Sequence, residues 1–170
     1  PTANCKNITV QLDATGNATI VAADVNNGSS DICGIKNLAI DKTAFSCSNV
    51  GANTVVLTAT DNNGNTATCS STVTVQDITA PTANCKNITV QLDATGNATI
   101  VAADVNNGSS DICGIKNLAI DKTAFSCSNV GANTVVLTAT DNNGNTATCS
   151  STVTVQDITA PTANCKNITV

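Results

Sequence analysis

The chain has 170 residues, 41% of them apolar, and a net charge of −5; its twelve acids are all Asp and its seven bases all Lys. With no Arg and only 1% aromatic residues it lacks the cationic and stacking surfaces that bind nucleic acid, and no segment is apolar and long enough to span a membrane. It also lacks His, Glu and Tyr, and a Ser with no base beside it is not a nucleophile, so the chain reads as non-enzymatic.

Residues 1–80 and 81–160 are identical, and 161–170 repeat the first ten residues again. A period this long describes a small domain strung in tandem, each copy with its own core. The predicted domains are therefore 1–80, 81–160, and 161–170 as the first strand of a third copy. The chain begins without Met and shows no signal peptide, which predicts a piece of a longer, processed protein.

Within one copy, Ile8, Val10 and Leu12 alternate with Asn7, Thr9 and Gln11, the period of a half-buried strand. Further strands are predicted at ATIVAAD with Ile20 and Val21, at GIKNLAI (34–40), at TAFSC, at NTVVLTATD and at TATCSSTVTVQD. No stretch has the pattern of a useful helix. Six or seven short strands separated by Gly, Asn and Asp clusters predict an all-β, immunoglobulin-like antiparallel sandwich.

The last hairpin is more closely specified. A two-residue Asn63–Gly64 turn would mix the two faces of the pair. A three-residue loop, Asn62-Asn63-Gly64, sets Leu57 opposite Cys69, Ala59 opposite Ala67 and Val55 opposite Ser71, with Gly64 at the positive-φ position. Between copies, Asp77 to Pro81 form a short linker containing a Pro, which predicts domains set end to end.

A domain of about 80 residues with one Phe per copy (Phe45, Phe125) and no Trp, Tyr or Met has a light core. Each copy adds four cysteines, Cys5, Cys33, Cys47 and Cys69, then Cys85, Cys113, Cys127 and Cys149; Cys165 is the ninth. The absence of His and of CxxC spacing argues against zinc, so the cysteines predict two disulfides per copy and an oxidising, extracellular setting.

The run FSCSNVGANTVVLTATDNNGNTATCSSTVTVQDITAPTANC resembles the hyalin repeat (HYR) domain, through Phe45, Gly51, Val56, Ala59, Asp61, Gly64-Asn65, Cys69, Val73, Val75 and Asp77. Asp31-Ile32-Cys33-Gly34 resembles the family's Asp-Asn-Cys-Gly, with Ile32 in place of Asn; Lys6 stands where a Pro is common. The resemblance implies an immunoglobulin-like sandwich in an extracellular, adhesion-related protein. Tandem arrays of this kind resemble those of long bacterial surface proteins and animal matrix proteins. The family offers no catalytic residues.

Four cysteines allow three pairings. In such a sandwich the first and last strands run side by side and parallel, which pairs Cys5 with Cys69 and leaves Cys33 with Cys47; in the second copy, Cys85 with Cys149 and Cys113 with Cys127. Cys5 has the opposite parity to Ile8, so the first pairing requires a bulge or a bond along the sheet edge.

Asn7-Ile8-Thr9, Asn17-Ala18-Thr19 and Asn27-Gly28-Ser29 fit the glycan acceptor triplet but arise readily by chance in an Asn- and Thr-rich chain. Asp61–Asn65 fails as an EF-hand, with Thr66 and Thr72 where Gly and Glu are needed. Loop geometry would bring Asp77, Asp104, Asp111 and Asp141 together where the linker enters the second copy, an oxygen set suited to Ca²⁺; the alternative is that these Asp only cap turns.

The functional expectation is a stalk or filament module of a long cell-surface adhesin or fibre. Its partners would be neighbouring repeats of the same chain and lateral copies in a filament. The alternative is weak multivalent binding of polysaccharide, matrix or a protein.

Overall fold

A computed structural model describes residues 1–169. It divides into two compact units. The first comprises Pro1–Ala80 with Asp111–Gly114 and Asn142–Asn145; the second comprises Pro81–Ser110, Ile115–Asp141 and the residues from Thr146 onward.

In the first unit, β1 (Ile8–Gln11), β2 (Asn17–Thr19), β3 (Ile35–Ile40), β4 (Ala44–Ser46), β5 (Gly51–Asp61) and β6 (Thr66–Gln76) follow in chain order. They form a four-stranded sheet of order β1-β6-β5-β3 and a two-stranded sheet of β2 and β4. β1 lies parallel to β6, with Ile8 beside Val73 and Val10 beside Val75; the other pairings are antiparallel. This is the predicted all-β, immunoglobulin-like architecture. The second unit repeats it with β7 (Ile88–Gln91), β8 (Asn97–Thr99), β9 (Ile115–Ile120), β10 (Ala124–Ser126), β11 (Gly131–Asp141) and β12 (Thr146–Gln156).

The predicted hairpin register is the observed one. Leu57 faces Cys69, Ala59 faces Ala67, Val55 faces Ser71, and Gly64 takes a φ of 89°. The register puts Val55, Leu57, Val73 and Val75 on one face. They are fully or almost fully buried, with Leu12, Ile20, Val25 and Phe45 completing the core. Phe45 carries the Lys42 ammonium over its ring at 4.7 Å, and the same ammonium donates to Asn53 Oδ1 at 3.0 Å. One aromatic ring thus serves both as core filler and as a seat for a cation.

Two predicted strands are corrected. The segment ATIVAAD is paired as a strand only to Thr19; Ala22–Val25 form a single helical turn, α1. The Asp24 carboxylate accepts the Val21 N–H at 2.7 Å, and two Ala open the turn, so local capping overrides the β-branched flanks. Residues 161–169 carry no strand and are exposed. The same sequence is a strand at β1 only because β6 supplies its hydrogen-bonding partner, and β1 alone has no core to bury against.

The use of Asp without Glu follows from the turns. Asp13 accepts the Thr15 and Asn17 N–H groups, Asp31 that of Cys33, Asp41 that of Val56, Asp61 those of Asn63 and Asn65, and Asp77 that of Thr79. Most of these bonds reach back to a backbone two residues on, a span that suits the short Asp side chain.

Candidate functional site

The cysteines form the first candidate site. Lys6 N–H donates to Val25 O and Cys5 bridges Asn26, so the chain before β1 follows α1 instead of the sheet ladder. The parity of β1 therefore does not bind Cys5. The structure joins it to Cys69, with Cα atoms 5.8 Å apart, and joins Cys85 to Cys149 with the same Cα separation. Each bond ties the entry of the fold to its last strand.

The expected Cys33–Cys47 and Cys113–Cys127 pairs do not form. Cys47 is bonded to Cys113 with Cα atoms 5.2 Å apart, and Cys33 and Cys127 are exposed thiols, as is Cys165. Strand geometry gives the reason. Asn62 Nδ2 donates to Cys33 O at 2.6 Å, which fixes Cys33 at the hairpin end of β5. Cys47 opens a 3-10 turn, Cys47–Asn49, that leads into Gly51 at the opposite end of β5. Eleven strand residues separate the ends by roughly 35 Å, against the Cα distance of about 4.4–6.8 Å that a disulfide spans.

Cys47 and Cys113 both lie in the first unit, where Asp111–Gly114 pack beside Gly16. A Cβ added at Gly16 would lie 2.9 Å from Cys47 Sγ and 3.2 Å from Ile112 Cγ1, and its φ of 75° also favours glycine. Cys113 packs against the first unit's core cluster.

Two of the four predicted calcium ligands lie together in the first unit. Asp77 and Asp111 lie in the first unit, with ligand atoms within 4.8 Å of each other and of Cys113 Sγ. Because Cys113 is in a disulfide it offers no thiolate, so the pair is carboxylate only. Asp77 is 6% exposed; its Oδ1 accepts the Thr79 N–H, and its Oδ2 is buried without a hydrogen-bond partner. Asn145 Nδ2 donates to the Asp77 carbonyl at 3.2 Å. Asp104 and Asp141 belong to the second unit. Asp104 instead turns onto the Val101 N–H at 2.8 Å in the helical turn Ala102–Val105, and Asp141 is the buried last residue of β11. Sequence reasoning did not single out Gly16 or Ile112; the close approach that makes them part of the site is a tertiary contact.

Asp61 closes the β5–β6 hairpin as a carboxylate. Its pKa is held below the ordinary value, first by the Asn65 side-chain amide at 2.8 Å and then by the Asn65 and Asn63 N–H groups, against desolvation that raises it.

Among the described residues no helix is long and apolar enough to cross a membrane. Residues 76–155 match the family model of the HYR domain. Hyalin of Strongylocentrotus purpuratus is 36% identical over 175 residues, covering 97% of this chain; the chain spans 14% of that relative's length. Among solved structures, the protocadherin GammaB4 extracellular domain is similar with a TM-score of 0.44 at 12% identity, over 92% of this chain and 32% of that one. Fibronectin(III)-like modules of Clostridium thermocellum CbhA are similar with a TM-score of 0.35 at 13% identity, over 98% of this chain and 97% of theirs. Residues 76–155 are a HYR domain, and because residues 1–75 repeat 81–155 without a change, both copies in this chain belong to the HYR family.

Proposed function

We propose that the chain is a spacing module of an extracellular adhesion-type protein, which supplies length and resists extension. The observation that carries this reading is the repetition itself: two identical sequences, each folding around its own core and each closing its entry onto its last strand with a disulfide. Identical copies multiply a mechanical property more naturally than they build one specialised site. Three disulfides in a chain this small support an oxidising, extracellular setting, as does the family. The test is equilibrium binding of the 170-residue chain to surface polysaccharides and matrix proteins. Spacing predicts no saturable binding below about millimolar, the range of weak single-module contacts. Saturable micromolar binding would instead support the multivalent binding module.

We also propose that Ca²⁺ associates with Asp77 and Asp111. The support is the Asp77 Oδ2, a buried acceptor with no hydrogen-bond partner, beside a second carboxylate. Oxygen-only donors suit a hard cation. A ligand that binds only the folded state raises the melting temperature. The melt of the whole chain should therefore rise between excess EDTA and millimolar Ca²⁺, and Asp77→Asn should abolish the difference. Equal melts of the unaltered chain in the two buffers would remove the cation from the account.

A further inference from the structure

The Cys47–Cys113 disulfide stands beside two carboxylates. An oxygen of Asp77, an oxygen of Asp111 and Cys113 Sγ lie within 4.8 Å of one another. Hydrogen bonds already orient all three residues. Asp77 Oδ1 accepts the Thr79 N–H at 3.0 Å, and Asn145 Nδ2 donates to the Asp77 carbonyl. Asp111 Oδ1 accepts the Cys113 N–H at 2.7 Å, so one tight turn presents Asp111 and Cys113 together. Asp77 is 6% exposed, and its Oδ2 is buried with no hydrogen-bond partner. A buried charged oxygen is costly to leave unpaired, and a metal cation is one of the partners that relieve it.

The state of the sulfur decides which cation fits. While Cys113 is bonded to Cys47, the site offers carboxylate oxygen alone, the donor set of a hard ion. Reduction adds a thiolate, and two carboxylates with one thiolate suit a softer ion such as Zn²⁺, which accepts both sulfur and oxygen. Ligand atoms around one zinc stand roughly 3.5 Å apart, so a closing movement of about 1 Å completes the set and leaves a fourth position to water. CxxC spacing is missing from the sequence because these ligands come from residue 77 and from residues 111–113, which only the fold brings together. Cys47 Sγ lies against Gly16, 3.9 Å from Gly16 O, and is given no ligand role.

We propose that opening the Cys47–Cys113 disulfide turns Asp77, Asp111 and Cys113 into a Zn²⁺ site. The reductant is a low-molecular-weight thiol. Its thiolate attacks the Cys47 sulfur and releases Cys113 as a thiolate; a second small thiolate attacks the mixed disulfide and releases Cys47. Two protein thiols form, and two small thiols are oxidised to one small disulfide, with their protons passing to the protein thiols or to solvent. The proposal shares the Asp77–Asp111 pair with the Ca²⁺ reading but concerns the reduced state, so either can fail alone: the Ca²⁺ melt uses the disulfide-bonded chain, and the zinc test uses a chain in which that bond cannot form.

The test uses the full chain with Cys33→Ser, Cys127→Ser and Cys165→Ser throughout, which removes the exposed thiols. Adding Cys47→Ser frees Cys113 without a reductant and leaves Cys5–Cys69 and Cys85–Cys149 closed. Co²⁺ should then give the charge-transfer absorption of a metal thiolate, and Zn²⁺ should displace it at one ion per chain. The disulfide-bonded parent should give no such band. Cys113→Ser in place of Cys47→Ser should weaken Zn²⁺ binding at least about a hundredfold, and Asp77→Asn added to Cys47→Ser about tenfold or more, since loss of a ligand should at least match the loss of an outer partner. Circular dichroism checks the fold, and Cys47→Val, which keeps an apolar side chain in place of the sulfur, serves as a second way to free Cys113. No thiolate band in either Cys47 variant, equal Zn²⁺ affinity in the Cys113→Ser chain, or no effect of Asp77→Asn would overturn the proposal.

Discussion

Cys47 is bonded to Cys113, while Cys33, whose sequence surroundings are the same as those of Cys113, is a free thiol. Peptide mapping cannot tell Cys33 from Cys113, because the peptides that contain them are identical, but thiol counting with single variants can. The unaltered chain should show three reactive thiols, Cys33, Cys127 and Cys165. Cys33→Ser should show one fewer, and Cys113→Ser one more as Cys47 is released. A Cys33–Cys47 bond predicts the opposite for Cys33→Ser, a gain of one thiol over its parent.

The Cys5–Cys69 bond closes a separation of 64 residues. Loop entropy assigns a bond of that span about 4 kcal/mol. Cys5→Ser with Cys69→Ser should lower the free energy of unfolding in a denaturant titration by about that amount, with the same fold by circular dichroism. A loss well under 1 kcal/mol would mean that the core holds the entry segment without the bond.

Phe45 is 3% exposed and is the one aromatic side chain of its core. Phe45→Ala should cost about 3–5 kcal/mol, the range for removing a buried aromatic side chain. Lys42→Met keeps the apolar stem but removes the charge over the ring and the bond to Asn53, and should cost roughly 1 kcal/mol. Chemical denaturation measures both, and equal losses would contradict the ordering.

The hairpin carboxylate sets an acid limit. The folded pKa of Asp61 is depressed, as are those of Asp13 and Asp93, each held first by the hydroxyl of the Thr two residues on. A depressed folded pKa contributes stability above the unfolded value of about 3.9, which is lost as pH falls through the folded value. The melting temperature should therefore be nearly level from pH 8 to 5 and drop below about pH 4. Asp61→Asn should melt lower at pH 7 and lose less on acidification, because Asp13 and Asp93 still titrate. An Asp61→Asn chain with the parent's full acid drop would assign the limb elsewhere.

The parts of the fold that sequence made legible were those written in local chemistry. DNNGN admits one loop length that keeps Leu57, Cys69, Val55 and Ser71 on a common face, so the hairpin register could be read directly. Cys5–Cys69 followed from the parallel placement of first and last strands. The helical turn at Ala22–Val25 was hidden by the β-branched residues on either side, since its cap is a single Asp carboxylate. Pairing of Cys47 with Cys113 was hidden for a different reason. In identical copies a bond within a copy and a bond across copies have the same sequence signature, and only the opposite ends at which Cys33 and Cys47 lie separate them. Of the acids, Asp77 and Asp111 were brought together, while the Asp104 carboxylate is engaged by the Val101 N–H of its own helical turn.

Pulling single molecules from their two ends tests the spacing role most directly. Cys5–Cys69 and Cys85–Cys149 each shield a separation of 64 residues from tension. In oxidising buffer the chain should stop lengthening while both loops are closed, and reductant should release roughly 400 Å more, at about 3.3–3.6 Å per residue. An oxidised chain that reaches the same final length as the reduced one would contradict the account.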